Sequence, residues 1–439
     1  MTKIALITFG CAKNLVDSEV MAGFLAQAGY AFVGRPEAAD IILLNTCGFL
    51  RASKDEADEA IRAALALKAG RPSLRVVVAG CYTERNRPEL EARYPGVSAW
   101  IGVRDLDRIA DVVEGRGFRG SGRTFLYDDA SPRAVSTPAS WAYLKISEGC
   151  SHRCAFCAIP LIKGPYRSRP AASVLREADA LIGRGALEID LVSQDTTSYG
   201  KDRARSDGLA GLLRKIAKRP GLAWVRILYG YPDEITGRLL DAMRDPKVAP
   251  YLDIPFQHSD PALVRRMSRA MPGRRALKLL ESIRKALPEA AIRTSLIVGF
   301  PGEGRREFAG LREFVRAAAF DHLGVFTYSR EEGTPAYGLG DPIPEEEKRR
   351  RADEILEIQA GISARKLAAW KGRTVEVLVE GPWKEDPRVL VGRSSRQAPE
   401  VDGVVFIEGA ARRPDAKPGL VKVEITSTGV YDLHGKPAP

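Results

Sequence analysis

No stretch of this sequence is apolar for long enough to cross a membrane, and the opening residues, MTKIALITF, lack the basic start and cleavage site of a secretory leader. Those absences predict a cytoplasmic protein with no membrane attachment. Proline and glycine, 28 and 41 of 439 residues, are not in the excess that marks disorder. Cysteine is scarce: there are six. Where thiols stay reduced, so few in so long a chain point to metal binding or catalysis rather than to disulfides. What is present is ordinary for a globular protein, 45% apolar and 28% charged, with length for about three domains. The net charge of +11 favours an acidic partner such as RNA or the ribosome, although solvated helix faces alone could carry it.

Residues 1–118 repeat a strand-then-helix pattern: KIALITF (3–9) before a helix over 16–28, DIILLN (40–45) before one over 53–69, and RVVVAG (75–80) before one over 84–93. Short apolar strands alternating with amphipathic helices predict a doubly wound parallel sheet. Ser53 and Glu56 have the spacing of a capping box for the second helix, with Gly70 as its stop. Residues 119–140, rich in Ser, Pro and Gly and without periodicity, read as a linker. From 141 to about 329 the alternation resumes, with strands near 141–147, 188–195, 224–230, 251–257, 291–299 and 322–329, and helices including 173–183 and 273–286. Six such units predict an incomplete (β/α)6 relative of the eight-fold barrel, its site at the carboxyl ends of the strands. A charged helix over 345–371 follows Pro344, with Lys348 to Arg351 on its wet face. From 372 to 439 the period switches to two, which predicts a small β-barrel of about five strands.

The chemistry sits in two sets of three cysteines. Cys150, Cys154 and Cys157 form a CxxxCxxC loop directly after the strand WAYLKIS. Three thiolates leave one iron of a four-iron cluster open, and an open iron can chelate the amino and carboxylate groups of S-adenosylmethionine. The competing reading is a structural zinc site with His152 as fourth ligand, although zinc loops usually pair two short arms from separate segments. The other three, Cys11, Cys47 and Cys81, are scattered, yet each ends a strand of the first domain. In a parallel sheet those ends share one edge, where such folds hold ligands. Each also touches a glycine, Gly10, Gly48 or Gly80, which permits close backbone approach to a bulky group. One such cysteine alone would read as a buried core residue; three at equivalent positions predict a second cluster with an open iron able to hold a sulfur.

Other strand-end positions carry weaker signals. Phe156 in the loop, Gln194 and Asp195, Arg226, Gln257 with His258, and Gly299 to Gly302 are candidates for contacting S-adenosylmethionine, and equally for caps or turns. Arg167 and Arg169 flank a serine just past the loop and could pair with a carboxylate or phosphate, or stay solvated. His322 and His434 read as structural.

Taken with FGCAKNLVDSE (9–19), NTCGF (45–49), YLKISEGCSHRCAFCAIP (143–160), LVSQDTTSYG (191–200), RILYGYP (226–232) and LDIPFQHS (252–259), these features resemble the radical methylthiotransferase family over essentially the whole chain. The resemblance implies a three-cysteine domain, a radical S-adenosylmethionine core and a C-terminal TRAM β-barrel. It implies two 4Fe-4S clusters, one on Cys150, Cys154 and Cys157 that yields a hydrogen-abstracting 5'-deoxyadenosyl radical, and one on Cys11, Cys47 and Cys81 that supplies methylated sulfur. No protein acid or base is assigned. Within the family, the sequence looks like the branch that modifies an aspartate β-carbon in small-subunit ribosomal protein twelve. The relatives that modify a tRNA adenosine near the anticodon tend to have Ser-His-Pro where Tyr231-Pro232 follows Gly230. Charge agrees with that branch, because Arg373 to Asp432 holds nine Lys or Arg against ten Asp or Glu, whereas a tRNA-gripping module should be basic. A monomer served by a flavodoxin or ferredoxin is the implied working form. A metal-bearing, non-catalytic assembly factor is the remote alternative.

Overall fold

The computed structural model describes residues 1–117, 122, 124–204, 206–409 and 419–438. Its first part runs β1 (Lys3–Thr8), α1 (Ala12–Gln27), β2 (Ala31–Phe32), β3 (Ile41–Thr46), α2 (Arg51–Gly70), β4 (Arg75–Gly80), α3 (Cys81–Arg93), β5 (Ala99–Ile101) and α4 (Ile109–Glu114). The sheet is parallel throughout in the order β2-β1-β3-β4-β5. Alternate side chains of its apolar strands feed two layers. Ile4, Leu43 and Val77 meet α1 and α4, while Ile42, Leu44 and Val78 meet α2. The chain reverses its direction of growth between β1 and β3, which opens a crevice at the carboxyl ends of those strands.

One local expectation fails. Helix α2 begins at Arg51 behind Leu50, with no side-chain cap, so Ser53 and Glu56 lie inside it and Gly70 is its last residue. Ser53 stands near Cys47 instead, and its hydroxyl partly offsets the rise that burial imposes on that thiol.

The second part forms β6 (Trp141–Lys145), β7 (Ser147–Glu148), α5 (Ile159–Lys163), β8 (Arg167–Ser168), α6 (Ala171–Gly183), β9 (Glu188–Val192), α7 (Gly208–Ala217), β10 (Trp224–Ile227), α8 (Gly237–Ala242), β11 (Val248–Asp253), α9 (Pro261–Arg266), α10 (Gly273–Ala286), β12 (Ala291–Val298), α11 (Arg305–Ala318), β13 (His322–Thr327) and α12 (Glu345–Ala368). The six main strands lie parallel as β13-β12-β11-β10-β9-β6, an open partial barrel. Ile and Leu from the outer faces of these strands pack against α6, α7, α10 and α11. The stretch expected as a linker is pinned where it is described, residues 118–121 and 123 lying outside that description. Arg133 joins Glu19 of α1 at 2.6 Å to Glu177 of α6 at 2.6 Å, and Gly23 leaves room for Pro132, whose carbonyl would stand 2.4 Å from an added Cβ.

The last part closes into a barrel of β14 (Thr374–Pro382), β15 (Leu390–Ser394), β16 (Val405–Ile407), β17 (Leu420–Thr428) and β18 (Leu433–Pro437), in the order β14-β15-β16-β18-β17. It is docked through buried charge. Arg393 reaches Glu188 at 2.8 Å, and Arg226 bonds the same carboxylate at 2.7 Å and the Ser395 carbonyl at 2.8 Å. Tyr143 and Tyr251 donate to Glu400 and Asp402 at 2.9 and 2.6 Å. The small barrel therefore plugs the strand-start end of the partial barrel.

Asp190 lies within this network, and burial followed by the Glu188 charge holds its carboxyl far above the usual range. Removing Glu188 lets Asp190 ionise in its place. Glu188→Gln should therefore destabilise only modestly, whereas Glu188→Gln with Asp190→Asn should cost about 3–5 kcal/mol by leaving buried Arg226 without a carboxylate and Arg393 with Glu380 alone. Urea unfolding followed by tryptophan fluorescence measures the difference; equal losses would refute this account.

Candidate functional site

Cys11, Cys47 and Cys81 stand just past the ends of β1, β3 and β4, at the sheet's switch point. Burial pushes the Cys47 and Cys81 thiols up, and the charge of Cys11 on Cys47, and of Cys47 and Cys11 on Cys81, adds to the shift. Thiols held protonated in this way give up their protons when iron replaces them. The adjoining glycines serve the convergence of the strands rather than a ligand's approach. A Cβ on Gly10 (φ +97°) would lie 2.8 Å from Cys47 Cβ, and one on Gly80 (φ +101°) would lie 2.4 Å from Asn45 Oδ1. Asn45 in turn donates to the Asn14 carbonyl at 2.9 Å and to Ser18 at 2.8 Å, and Thr46 donates to the Ala79 carbonyl at 2.7 Å. Polar side chains thus stitch the three strand ends together.

In the CxxxCxxC loop, burial pushes Cys150 up to about 11 and Cys157 up to about 12, with Cys154 adding to both and Cys150 adding to Cys157. Backbone bonds fix the loop's path: Cys150 N–H to Gly164 O at 3.1 Å, Ala155 N–H to Met267 O at 2.9 Å and Ala336 N–H to Ala155 O at 2.8 Å. Arg269 donates to Cys154 Sγ at 3.5 Å and to Pro255 O at 2.6 Å. Its guanidinium lies 4.0 Å from the Tyr231 ring, which His152 stacks at 3.7 Å. His152 Nε2 is 2.6 Å from Asp195 Oδ2, which commits the would-be zinc ligand elsewhere. Among the described residues no three His, Cys, Asp or Glu side chains gather around one ion. All six thiols are free, and thiolates in sets of three are the ligands that leave one iron of a four-iron cluster open.

The weaker candidates divide. Asp195 takes the His152 bond and caps the turn Thr196–Ser198, accepting from the Thr197 and Ser198 amides. Gln194 donates to Glu148 at 2.6 Å, and Phe156 packs beside Phe300 and Met267. Gln257 has φ +72° and bridges to Leu296. Gly299 (φ +78°) is demanded by Lys348, whose Cγ would lie 2.4 Å from an added Cβ. Lys348 and Arg351 are therefore buried rather than on a wet face, with Lys348 bonded to Tyr328 O at 3.0 Å and Arg351 to Glu303 O at 2.8 Å. Arg226 is turned toward the strand starts and held by Glu188 and Ser395, which removes it from the cysteine loop. Arg169 is also buried, on Glu177 at 2.5 Å and over Tyr127, and Arg167 bonds the Thr124 carbonyl. His322 bonds the Arg396 carbonyl at 3.0 Å.

Sequence reasoning missed what joins the two cysteine sets. Cys81 packs with Val103 against Ala158 and Ile162, the residues that follow Cys157. Beside them, Asp17 bonds Lys145 and, at 2.8 Å, Lys163, while Lys145 reaches Glu148 at 2.7 Å. Lys13, two residues past Cys11, lies 3.2 Å from the centroid of the Tyr229 ring at the end of β10. A lysine and an aspartate on an otherwise apolar helix face were the only available signals.

Gly80→Ala places a side chain in a left-handed conformation and against Asn45. It should halve the iron bound after anaerobic reconstitution, because only the first set is scattered; undiminished iron would show that the close approach is dispensable.

Comparison with known proteins follows this division. Residues 3–102 match the model described as uncharacterized protein family UPF0004, 144–315 the radical SAM superfamily and 372–437 the TRAM domain. A ribosomal protein uS12 methylthiotransferase RimO of Thermosynechococcus vestitus is 44% identical over 99% of this chain and 96% of its own length. That of Aquifex aeolicus is 43% identical over 99% and 97%. Among solved structures, the radical S-adenosylmethionine methyltransferase TsrM of Kitasatospora setae, with cobalamin and a [4Fe-4S] cluster bound, aligns at TM-score 0.55 and 14% identity over 76% of this chain and 77% of that one. This likeness shows the fold. With full-length identity above 40% and three matching domain models in the same order, the chain belongs to the family of uS12 methylthiotransferases, radical SAM enzymes that carry 4Fe-4S clusters.

Proposed function

We propose that this enzyme inserts a methylthio group at the β-carbon of an aspartate in ribosomal protein uS12, with Cys150, Cys154 and Cys157 holding the radical-generating cluster and Cys11, Cys47 and Cys81 holding the cluster that carries sulfur. The observation that supports this most directly is the apolar contact of Cys81 with Ala158 and Ile162, because sulfur can reach a substrate radical only if the two sites share one space. When bound, the clusters and S-adenosylmethionine supply an electron, a radical able to take an unactivated hydrogen, and a methylated sulfur. The chain's own residues orient these groups. Phe156 in the cysteine loop, and Gln194, Asp195, Gln257 and Gly299 past the carboxyl ends of β9, β11 and β12, are assigned to contact S-adenosylmethionine. Arg226, locked in its ion pairs, is left out of that set. Arg269 directs a charged donor at Cys154 and stabilises negative charge on that sulfur.

Among the described residues no helix is long and apolar enough to cross a membrane, and a ribosomal substrate supports a cytoplasmic location. Both cysteine sets come from one chain, so a monomer suffices, served by a low-potential donor such as a flavodoxin or ferredoxin. The identity to uS12 enzymes and the near-neutral C-terminal module, nine cations against ten anions over 373–432, favour protein over tRNA.

Two measurements test the reading. The reconstituted enzyme incubated with uS12 and, separately, with tRNA should add methylthio mass to the protein alone by mass spectrometry; modified tRNA would reverse the assignment. Cys154→Ala should abolish 5'-deoxyadenosine formation, whereas Cys47→Ala should keep it and lose methylthio transfer. Transfer persisting in Cys47→Ala would sink the sulfur-carrying role.

A further inference from the structure

Lys13 is a half-buried ammonium at the barrel mouth. It is set on the Tyr229 ring at 3.2 Å and, among the described residues, makes no ion pair within 4 Å. The groups around it are fixed. Tyr229 holds a left-handed backbone (φ +62°) with its N–H on Asp253 Oδ2 at 3.1 Å and its carbonyl accepting from Thr196 N–H at 2.9 Å. Backbone strain of that kind persists only where surrounding structure imposes it. Asp253, the nearby carboxylate, is already neutralised by Arg293 at 3.2 Å. Lys13 also lies in the first turn of α1, which has no side-chain cap, so the helix dipole and free amides add to the positive potential. Cys11, which begins that turn, is exposed.

We propose that Lys13 is the specificity-determining residue that receives the carboxylate of the substrate aspartate and so aims its β-carbon at the Cys11, Cys47, Cys81 site. The inference rests on the reading of a uS12 aspartate as substrate. Its logic is one of bond lengths and charge. A charge-assisted N–H···O bond of about 2.8 Å holds the carboxylate, and the carbon to be modified is the next atom in the chain. A cation anchored two residues from a sulfur-site ligand therefore selects an acidic side chain and presents the right carbon. A neutral amide in the same place would leave the ammonium without its counter-charge.

The test uses the full-length enzyme with both clusters reconstituted, and uS12 carrying either the target aspartate or asparagine there. Wild type should prefer aspartate, and Lys13→Met should lower kcat/KM on it by about ten- to a hundredfold. Most of that loss should lie in KM, with the aspartate-over-asparagine preference abolished and 5'-deoxyadenosine formation retained. Lys13→Arg should keep the preference. An unchanged preference in Lys13→Met would overturn the inference, as would loss of the first-domain cluster's iron from that variant, which would assign Lys13 to the cluster instead. A wild-type enzyme inert on uS12 sinks the functional reading and this inference together, whereas activity with an unchanged preference sinks the inference alone.

Discussion

The distance between the two cysteine sites depends on one buried ion network, Asp17 with Lys145 and Lys163, and Glu148 with both lysines. All four side chains are almost wholly buried. Burial alone would raise the Glu148 carboxyl, yet Lys145 and Lys163 hold it at about 2. Desolvating four charges is expensive, and such a network is weak evidence of stability; its attested use is to specify one arrangement. The sequence positions show what is being specified. Asp17 lies in the helix that Cys11 begins, Glu148 lies two residues before Cys150, and Lys163 closes the short helix after Cys157. Each partner lies within six residues of a cysteine along the chain, so satisfying the ion pairs sets the register between the sites. Apolar packing of Ala12, Val16 and Val20 against Trp141 and Val192 supplies the adhesion, which has no directional preference.

The barrel itself is open between β6 and β13, and the first domain spans that gap. On one side α1 packs against β6; on the other, Lys54 and Arg85 both reach Glu331 at 2.7 Å, beyond β13. The opposite end is closed by the C-terminal barrel through Glu188, Arg226 and Arg393. A barrel sealed at its strand starts and bridged along its open side leaves the carboxyl-end mouth as the route for a macromolecular substrate. The backbone strain at that mouth, at Tyr229 and Gln257, fits a surface shaped for binding rather than for stability alone.

How much of this was legible in the sequence depended on the range of the interaction. Alternating strands and helices, and cysteines at strand ends, follow from local periodicity and the geometry of parallel sheets, so the fold and the two cysteine sets could be read directly. Charged residues could not be placed, because a charge in a sequence does not name its partner. Arg226 looked like a strand-end ligand, yet it is held by a carbonyl 169 positions away. Lys348 sat in a charged run that reads as solvated, yet it fills the space that makes Gly299 a glycine. Ser53 had capping-box spacing, but the helix starts two residues earlier, at Arg51 behind Leu50. For Arg226 and Lys348 a tertiary contact overrode a correct local rule.

The same argument explains why the C-terminal module informs the choice of substrate without touching the chemistry. Its most buried charges face inward: Arg393 bonds Glu188 and Glu380, and Asp402 meets Tyr251 and Arg293. Cations committed to interior pairs cannot also neutralise phosphates, and binding a polyanion by counterion release needs several that are free. A module of near-zero net charge that uses an arginine as a plug is built to hold its place on the barrel. Selectivity on the proposed reading is then exercised at the mouth, where Lys13, which among the described residues makes no ion pair within 4 Å, stands on the Tyr229 ring two residues past Cys11, and the proposed acidic side chain is the ligand that completes the electrostatics.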